Sequence, residues 1–276
     1  MAKSADSSQT PPGIDYAPPP WSCKCSSFWL FVSFSDPLPA SVYAPLEASS
    51  PSTSSPTETG RFRGGLGVVQ VLRYSDTPVG SYDELCLIPG AFELPGTKEK
   101  YNRITRIYVS QKHTCYSGRK AWSLPKHLAR FSFSHSSSHD SASSKGPLTV
   151  GVFPPEPTAS EPFFSATLQP FAWAPSLPFS SKVLPYLGID DALVQPPLPA
   201  DPERPELVGN SDWLKTEGIM STRCARGMWV DVKRPSKSVQ NDADETVSWW
   251  PELSPWRVGL WLEDATLTFP CPEVLK

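Results

Sequence analysis

Proline limits what this chain can become more than any other residue: 276 residues hold thirty-three prolines against sixteen glycines. Each proline locks φ and removes a backbone donor, so a helix interior or central strand that took one in would lose a hydrogen bond. At this density long helices are excluded, and strands must alternate with rigid loops. Ten tryptophans and thirteen phenylalanines supply large apolar side chains for a core or a pocket. The length suffices for a real core. The sequence therefore predicts a mainly β (α+β) single domain, a curled sheet or β-barrel with few short helices and Pro-rich loops.

The apolar runs place the strands. "FWLFVSF" (28–34) is aromatic and β-branched. "GLGVVQVLRY" (65–74), "LCLIPGAFEL" (85–94) and "RITRIYVS" (103–110) follow one another across short Pro/Gly turns and predict an antiparallel meander. Further strands are expected at 129–134, 148–153, 163–175, 226–232 and 256–269. "SSPSTSSPTETG" (49–60) and "SHSSSHDSASSKG" (134–146) read as loops, and 183–206 as a long Pro-rich connection. Residues 1–20, polar and proline-rich, predict a disordered or extended N-terminal arm, and 21–276 the barrel domain. There is no internal repeat and no linker between two cores.

Composition removes several functions. The formal net charge is −3, with acids and bases mixed along the chain, so neither a nucleic-acid footprint nor a membrane-binding face is expected. The longest apolar run, "SSFWLFVSF", is too short to span a bilayer. The N-terminus has no apolar h-region, which makes the cytoplasm the expected compartment. The six cysteines form no C-x-x-C pair, and Cys23-x-Cys25 lacks a second pair to complete a metal site. His135 and His139 are four apart in a loop with no helix former to hold them in register. Neither a metal nor a cofactor is called for. "GRFRGGLG" (60–67) lacks the G-K-[ST] ending of a phosphate loop, and no G-x-S-x-G or H-E-x-x-H appears.

One stretch invites chemistry. "YSGRKAWSLPKHLARFSF" (116–133) sets Lys126 directly after Pro125 and before His127, with apolar residues on both sides. One or two helical turns over "SGRKAWSL" would end at Pro125. A neutral lysine amine attacks a ketone to form an imine, whose protonated form draws electrons from the adjacent carbon and eases loss of CO₂, loss of a proton or C–C cleavage. At its ordinary pKa of about 10.4 a lysine is inert near neutral pH. An apolar wall from Trp122, Leu124, Pro125 and Leu128, or a cation such as His127 or Arg119, would free it. On residue type alone, a solvated lysine beside a strand remains the simpler alternative.

Spacing adds weight. "GRKAWSLPKHLA" (118–129) resembles the G-R-E-x-x-x-x-P-K-K-x-G segment of the acetoacetate decarboxylase superfamily, with the lysine eight residues after the glycine. The resemblance implies that Lys126 is the Schiff-base lysine. "YSDTPVGSYDELCLIPG" (74–90) is similar to the family's strand–turn–strand, where a Tyr-x-Glu carries a carboxylate; Tyr82 and Glu84 match it. "YAPLE" (43–47) resembles the earlier P-x-P-L-E turn. The likeness spans about residues 20–134. His127 replaces the family's second, activating lysine, which implies weaker and more pH-dependent activation. "GVVQVLRY" offers no carboxylate where the decarboxylase has one; Gln70 or Val69 falls near that position. The substrate-gripping arginine has no clear match, and Lys24 lies closest to its place.

The function so implied is a Schiff-base-forming lyase acting on a β-keto acid or polyketide-like ketone, by default a decarboxylase. Lys126, Glu84 and His127 form the catalytic group in this reading, and Arg119, Tyr82 and Lys24 the substrate-binding one. Arg119 has a second expected role, pairing with an acid to hold the fold around the loop. Dehydration or retro-aldol cleavage would use the same imine. Two alternatives stay open: a non-catalytic pocket protein that keeps the barrel, and a pocket enzyme that cyclises or isomerises its substrate without covalent chemistry. The partner in each case is a small molecule, and a homo-oligomer is compatible with all three.

Overall fold

The computed structural model describes residues 10–135, 146–187, 192–233 and 249–275. Sixteen strands are present among them, in chain order β1 (Trp21–Val32), β2 (Gly67–Asp76), β3 (Tyr82–Ile88), β4 (Ala91–Glu93), β5 (Lys100–Asn102), β6 (Arg106–Val109), β7 (Lys126–Leu128) and β8 (Arg130–His135). There follow β9 (Leu148–Phe153), β10 (Phe164–Pro170), β11 (Leu177–Ser180), β12 (Leu193–Gln195), β13 (Trp213–Thr216), β14 (Ile219–Lys233), β15 (Val258–Phe269) and β16 (Glu273–Leu275). The large sheet runs β7-β6-β3-β2-β1-β15-β14-β10-β9-β8, with β11 also on β14. Its pairings are antiparallel except β6 with β7. Only Ala129 separates the two edge strands β7 and β8 in the chain. The sheet therefore curls until it nearly closes, which is the barrel the composition predicts.

Alternation along the strands gives the sheet two apolar faces. Leu85, Leu87, Tyr108, Val69, Val71, Phe28 and Leu30 turn to one core. Their neighbours Cys86, Ile107, Val109, Leu72 and Trp29 turn to the other. A second sheet, β16-β13-β12-β5-β4, belongs to the structure as well. It had no signal in the sequence, because its strands are three or four residues long and too short to show a period.

Helices are short, as the prolines require. α1 (Pro45–Ala48), α2 (Pro51–Ser54) and α3 (Pro56–Thr59) are single turns, each opened by a proline at its first position. The expected loop at 49–60 is thus helical turns with proline starts. α4 (Lys112–Trp122) begins earlier than expected: the Gln111 side chain accepts from Thr114 N and caps it. It ends at Ser123, in the left-handed region with φ 52°, two residues before Pro125.

Other boundaries move for identifiable reasons. The strand expected over 85–94 breaks at Pro89-Gly90, where φ of Gly90 is 138° and a Cβ would meet the Gly64 carbonyl oxygen at 2.5 Å. The chain there leaves the large sheet for β4. The strand at 163–175 stops at Pro170. The Pro-rich connection at 183–206 contains β12 and the end of a 3-10 helix (Ser181–Leu187). Of the arm at 1–20, the described part runs from Thr10; Ile14 is buried, and the Asp15 and Ala17 amides donate to His113 Nδ1 and Ser117 Oγ of α4. His135 is exposed at the end of β8, and His139 lies outside the described residues.

Candidate active site

The site begins with register. Lys126 on β7 pairs with Ile107, Ile107 with Cys86, Cys86 with Gln70, Gln70 with Trp29 and Trp29 with Leu260. These six residues form one row across six strands, all on the same face, and all line one cavity of about 250 Å³. At about 4.8 Å per strand, the row follows the sheet for roughly 24 Å. Leu193, Leu184 and Phe179 close the other side. The cavity is an apolar trough whose charged lining among the described residues is Lys126 and Glu84.

Lys126 is 3 % exposed, the one buried lysine among the described residues. Its Nζ donates to Glu84 Oε2 at 2.9 Å and to Thr114 Oγ1 at 3.0 Å, and sits 5.2 Å from the centre of the Tyr82 ring. An ammonium has three protons, and this environment offers three electron-rich partners. Burial pulls the amine's pKa down, but the Glu84 carboxylate, with Tyr82 behind it, outweighs burial and the net direction is upward. The expectation that an apolar wall frees the amine is therefore corrected: the wall exists, and a carboxylate inside it holds the charge.

The surrounding groups stay protonated. Tyr74 Oη donates to Glu84 Oε1 at 3.3 Å and stacks on Tyr82, ring centres 4.3 Å apart. Burial drives both phenols upward. Burial also pushes the Cys23 thiol up to about 12, against the pull of Lys126, and Cys115 likewise to about 12. Cys115 Sγ donates to the Lys126 carbonyl at 3.2 Å.

α4 shapes the lysine's path. A Cβ on Gly118 would lie 2.7 Å from both Cδ and Cε of Lys126. The glycine that starts the sequence motif is thus the floor on which the lysine stem rests. Thr114, four residues earlier on the same helix, supplies the hydroxyl. Neither had been singled out as a site residue. Helical i, i+4 spacing places both beside the lysine once α4 is known to start at Lys112.

His127 and Arg119 are elsewhere. In a strand, neighbours face opposite ways, so His127 points away from the Lys126 amine. Its Nε2 lies 2.7 Å from Glu47 Oε2, and Arg119 Nη1 donates to Glu47 Oε1 at 2.8 Å. Arg119 also donates to the carbonyls of Val208, Pro199 and Lys126. Both it and Glu47 are fully buried. Burial raises the Glu47 carboxyl, but His127 and Arg119 reverse this and bring it down to about 2. Arg119 thus takes its acid-pairing role and does not reach the cavity. Glu47, the last residue of "YAPLE", went unassigned in the sequence. Lys24 is exposed and borders a separate outer basin with Arg73 and Asp83. Of the six site residues expected, the structure brings Lys126, Glu84 and Tyr82 together. Gln70 lines the trough two residues from Leu72, the residue paired with Glu84.

With this geometry in view, comparison with known proteins places the architecture. Acetoacetate decarboxylase from Legionella pneumophila superposes over 99% of this chain and 98% of its own, with TM-score 0.59 and 14% identity. The enduracididine biosynthesis enzyme MppR, complexed with pyruvate, gives TM-score 0.55 over 96% of this chain and 93% of its own, also at 14% identity. An acetoacetate decarboxylase-like enzyme from Sphingomonas wittichii gives 0.54 over 93% and 92%, at 10% identity. The chain has the acetoacetate-decarboxylase fold, divergent in sequence from these enzymes.

Similarity in sequence is local. Protein NEOXANTHIN-DEFICIENT 1 of Oryza sativa is 39% identical over 67 residues, covering 24% of this chain and 22% of that protein. The Arabidopsis thaliana protein of the same name is 37% identical over 67 residues, covering 24% and 23%. The chain thus spans less than a quarter of the length of these curated relatives. No protein-family model matches it.

Proposed function

We propose that this protein forms an imine between Lys126 and the carbonyl of a small-molecule ketone or β-keto acid. The observation that carries this reading is a buried lysine amine held 2.9 Å from a carboxylate in an apolar cavity. The resting amine is an ammonium. Its proton passes to Glu84 Oε2, the freed lone pair attacks the carbonyl carbon, and the resulting carbinolamine loses water to give the protonated imine. An apolar ligand that excludes water favours the first step, since a low-dielectric site penalises an ion pair more than a neutral amine and acid. The iminium then draws electrons from the α-carbon. A carboxylate on that carbon leaves as CO₂, its bonding pair passing into an enamine; Glu84 has by then returned its proton to the departing water, so the enamine carbon is protonated from solvent. The fold of acetoacetate decarboxylase supports decarboxylation as the default, and the pyruvate complex of MppR supports a carbonyl ligand in this architecture.

The upward direction of the Lys126 pKa favours a second reading, a pocket that binds its ligand without a covalent bond. One experiment separates them. Incubation with acetoacetate or butanone and cyanoborohydride, followed by peptide mass spectrometry, should place a single adduct on Lys126 and none in Lys126→Ala. Adducts confined to surface lysines would sink the imine mechanism and leave the non-covalent pocket.

A further inference from the structure

The trough does not end where the cavity does. Leu260, the last residue of the in-register row, pairs with Gly227 on β14. The Phe171 ring lies over Gly227, 2.4 Å from where a Cβ would sit. Two residues further on the same face of each strand come Val258 and Trp229, which pair with each other. They are 41 % and 51 % exposed. Trp229 packs on Phe171 with ring centres 4.8 Å apart, and Trp173 stacks on Phe171 at 5.4 Å. Trp256, 51 % exposed, has its ring 5.9 Å from that of Phe31 and its amide bonded to the Phe31 carbonyl; Phe31 lines the cavity.

Exposed tryptophans scattered singly need no explanation, but a contiguous apolar strip is a binding surface. Val258 and Trp229 extend the trough's face along β15 and β14, and Trp256, in the chain just before β15, joins it through Phe31. We infer that the ligand of the Lys126 site is an elongated carbonyl compound: its carbonyl end reaches Lys126, and its apolar tail runs along the row and out over Trp229, Val258 and Trp256. The trough supports this class, because past Lys126 and Glu84 the row is Ile107, Cys86, Gln70, Trp29 and Leu260, with no charge to receive a polar tail. The occupant is the ligand's tail rather than a second protein, since Phe31 and Leu260, which line the cavity, adjoin the strip directly: Phe31 packs on Trp256, and Leu260 stands two residues from Val258 on the same strand face. The inference deepens the imine reading and rests on it for the position of the carbonyl.

A series of methyl ketones tests it: butanone, dodecan-2-one and docosan-2-one, the last with a tail long enough to follow the row and reach the strip, presented from a cyclodextrin carrier with cyanoborohydride trapping at Lys126 and equilibrium binding in parallel. A fully buried methylene is worth about fourfold in affinity, and a half-covered one about twofold. From dodecan-2-one, whose tail ends inside the trough, to docosan-2-one, whose tail reaches the strip, the concentration for half-maximal binding should therefore fall about a hundredfold or more. The Trp229→Ser/Trp256→Ser variant should reduce that ratio to about tenfold or less, and so should Val258→Lys. Tyr186→Ser, at a residue 90 % exposed and outside the strip, serves as the control and should keep the wild-type ratio. A flat length series in the wild type, or an intact ratio in both strip variants, overturns the inference even if Lys126 is trapped throughout. Length-dependent binding that the strip variants lose, without any adduct on Lys126, upholds the tail site and sinks the imine.

Discussion

Gly118→Ala tests whether α4 sets the position of the lysine. The new Cβ would stand 2.7 Å from Lys126 Cδ and Cε, whereas carbon pairs settle at about 3.5–4.0 Å. The stem must therefore retreat by about 1 Å. The amine's bonds to Glu84 and Thr114, at 2.9 and 3.0 Å, have little slack before they fail as hydrogen bonds. A displacement of this size at a reacting group costs about a hundredfold in rate. The helix itself gains, because alanine is better than glycine in a helix interior by about 1 kcal/mol. A variant that folds well yet reacts slowly is the expected outcome. The assay is the rate of adduct formation at Lys126, together with competitive amine labelling across pH. Loosening the Glu84 contact removes the chief upward influence on the amine, so labelling should set in at lower pH than in the wild type. A trapping rate within about threefold of wild type, with the same labelling profile, would refute the positioning role of Gly118.

Two further perturbations follow from the charges. Glu84→Gln leaves a buried ammonium without its counterion; burial then dominates and the amine's pKa falls, with a loss of roughly 3–5 kcal/mol near pH 7 that shrinks as the pH approaches 10. Urea unfolding at both pH values checks this, and an equal loss at each would contradict it. The Glu47 carboxyl, at about 2 in the fold against 4.5 ordinarily, stabilises the protein above pH 4.5, and that contribution drains away as the pH falls toward 2. The sign is that of any depressed acid: the unfolded chain takes up its proton first. Roughly 3 kcal/mol is at stake, so the wild type should lose its advantage over Glu47→Gln between those pH values. Parallel stability curves for the two would show that the carboxyl is not depressed.

Which parts of the site were legible depends on how far apart the partners lie. Lys126, Glu84 and Tyr82 could be singled out because each sits in a short stretch that resembles a family motif. His127 beside Lys126 looked like its tuning cation, since sequence adjacency reads as spatial adjacency. The strand reverses that: the same pleat that aims Lys126 at the trough aims His127 at Glu47. Thr114 and Gly118 became readable only with the true start of α4, which a glutamine cap hid. Glu47 meets its partners from 72 and 80 residues away, with no local pattern to connect them.

By itself, the sequence determined that strands and proline-limited turns would build a β-rich domain, and its likeness to a family motif picked out one lysine. Density of proline and clusters of aromatic residues are local facts, and the backbone answers to them locally. Only the tertiary structure decided the state of that lysine. Its charge is the balance between burial and a carboxylate on another strand, and neither exists until β3, β7 and α4 are packed together. The trough is likewise a product of register. Residues from six strands share one face because each pairing is in step with the next, and that step is set by the sheet as a whole.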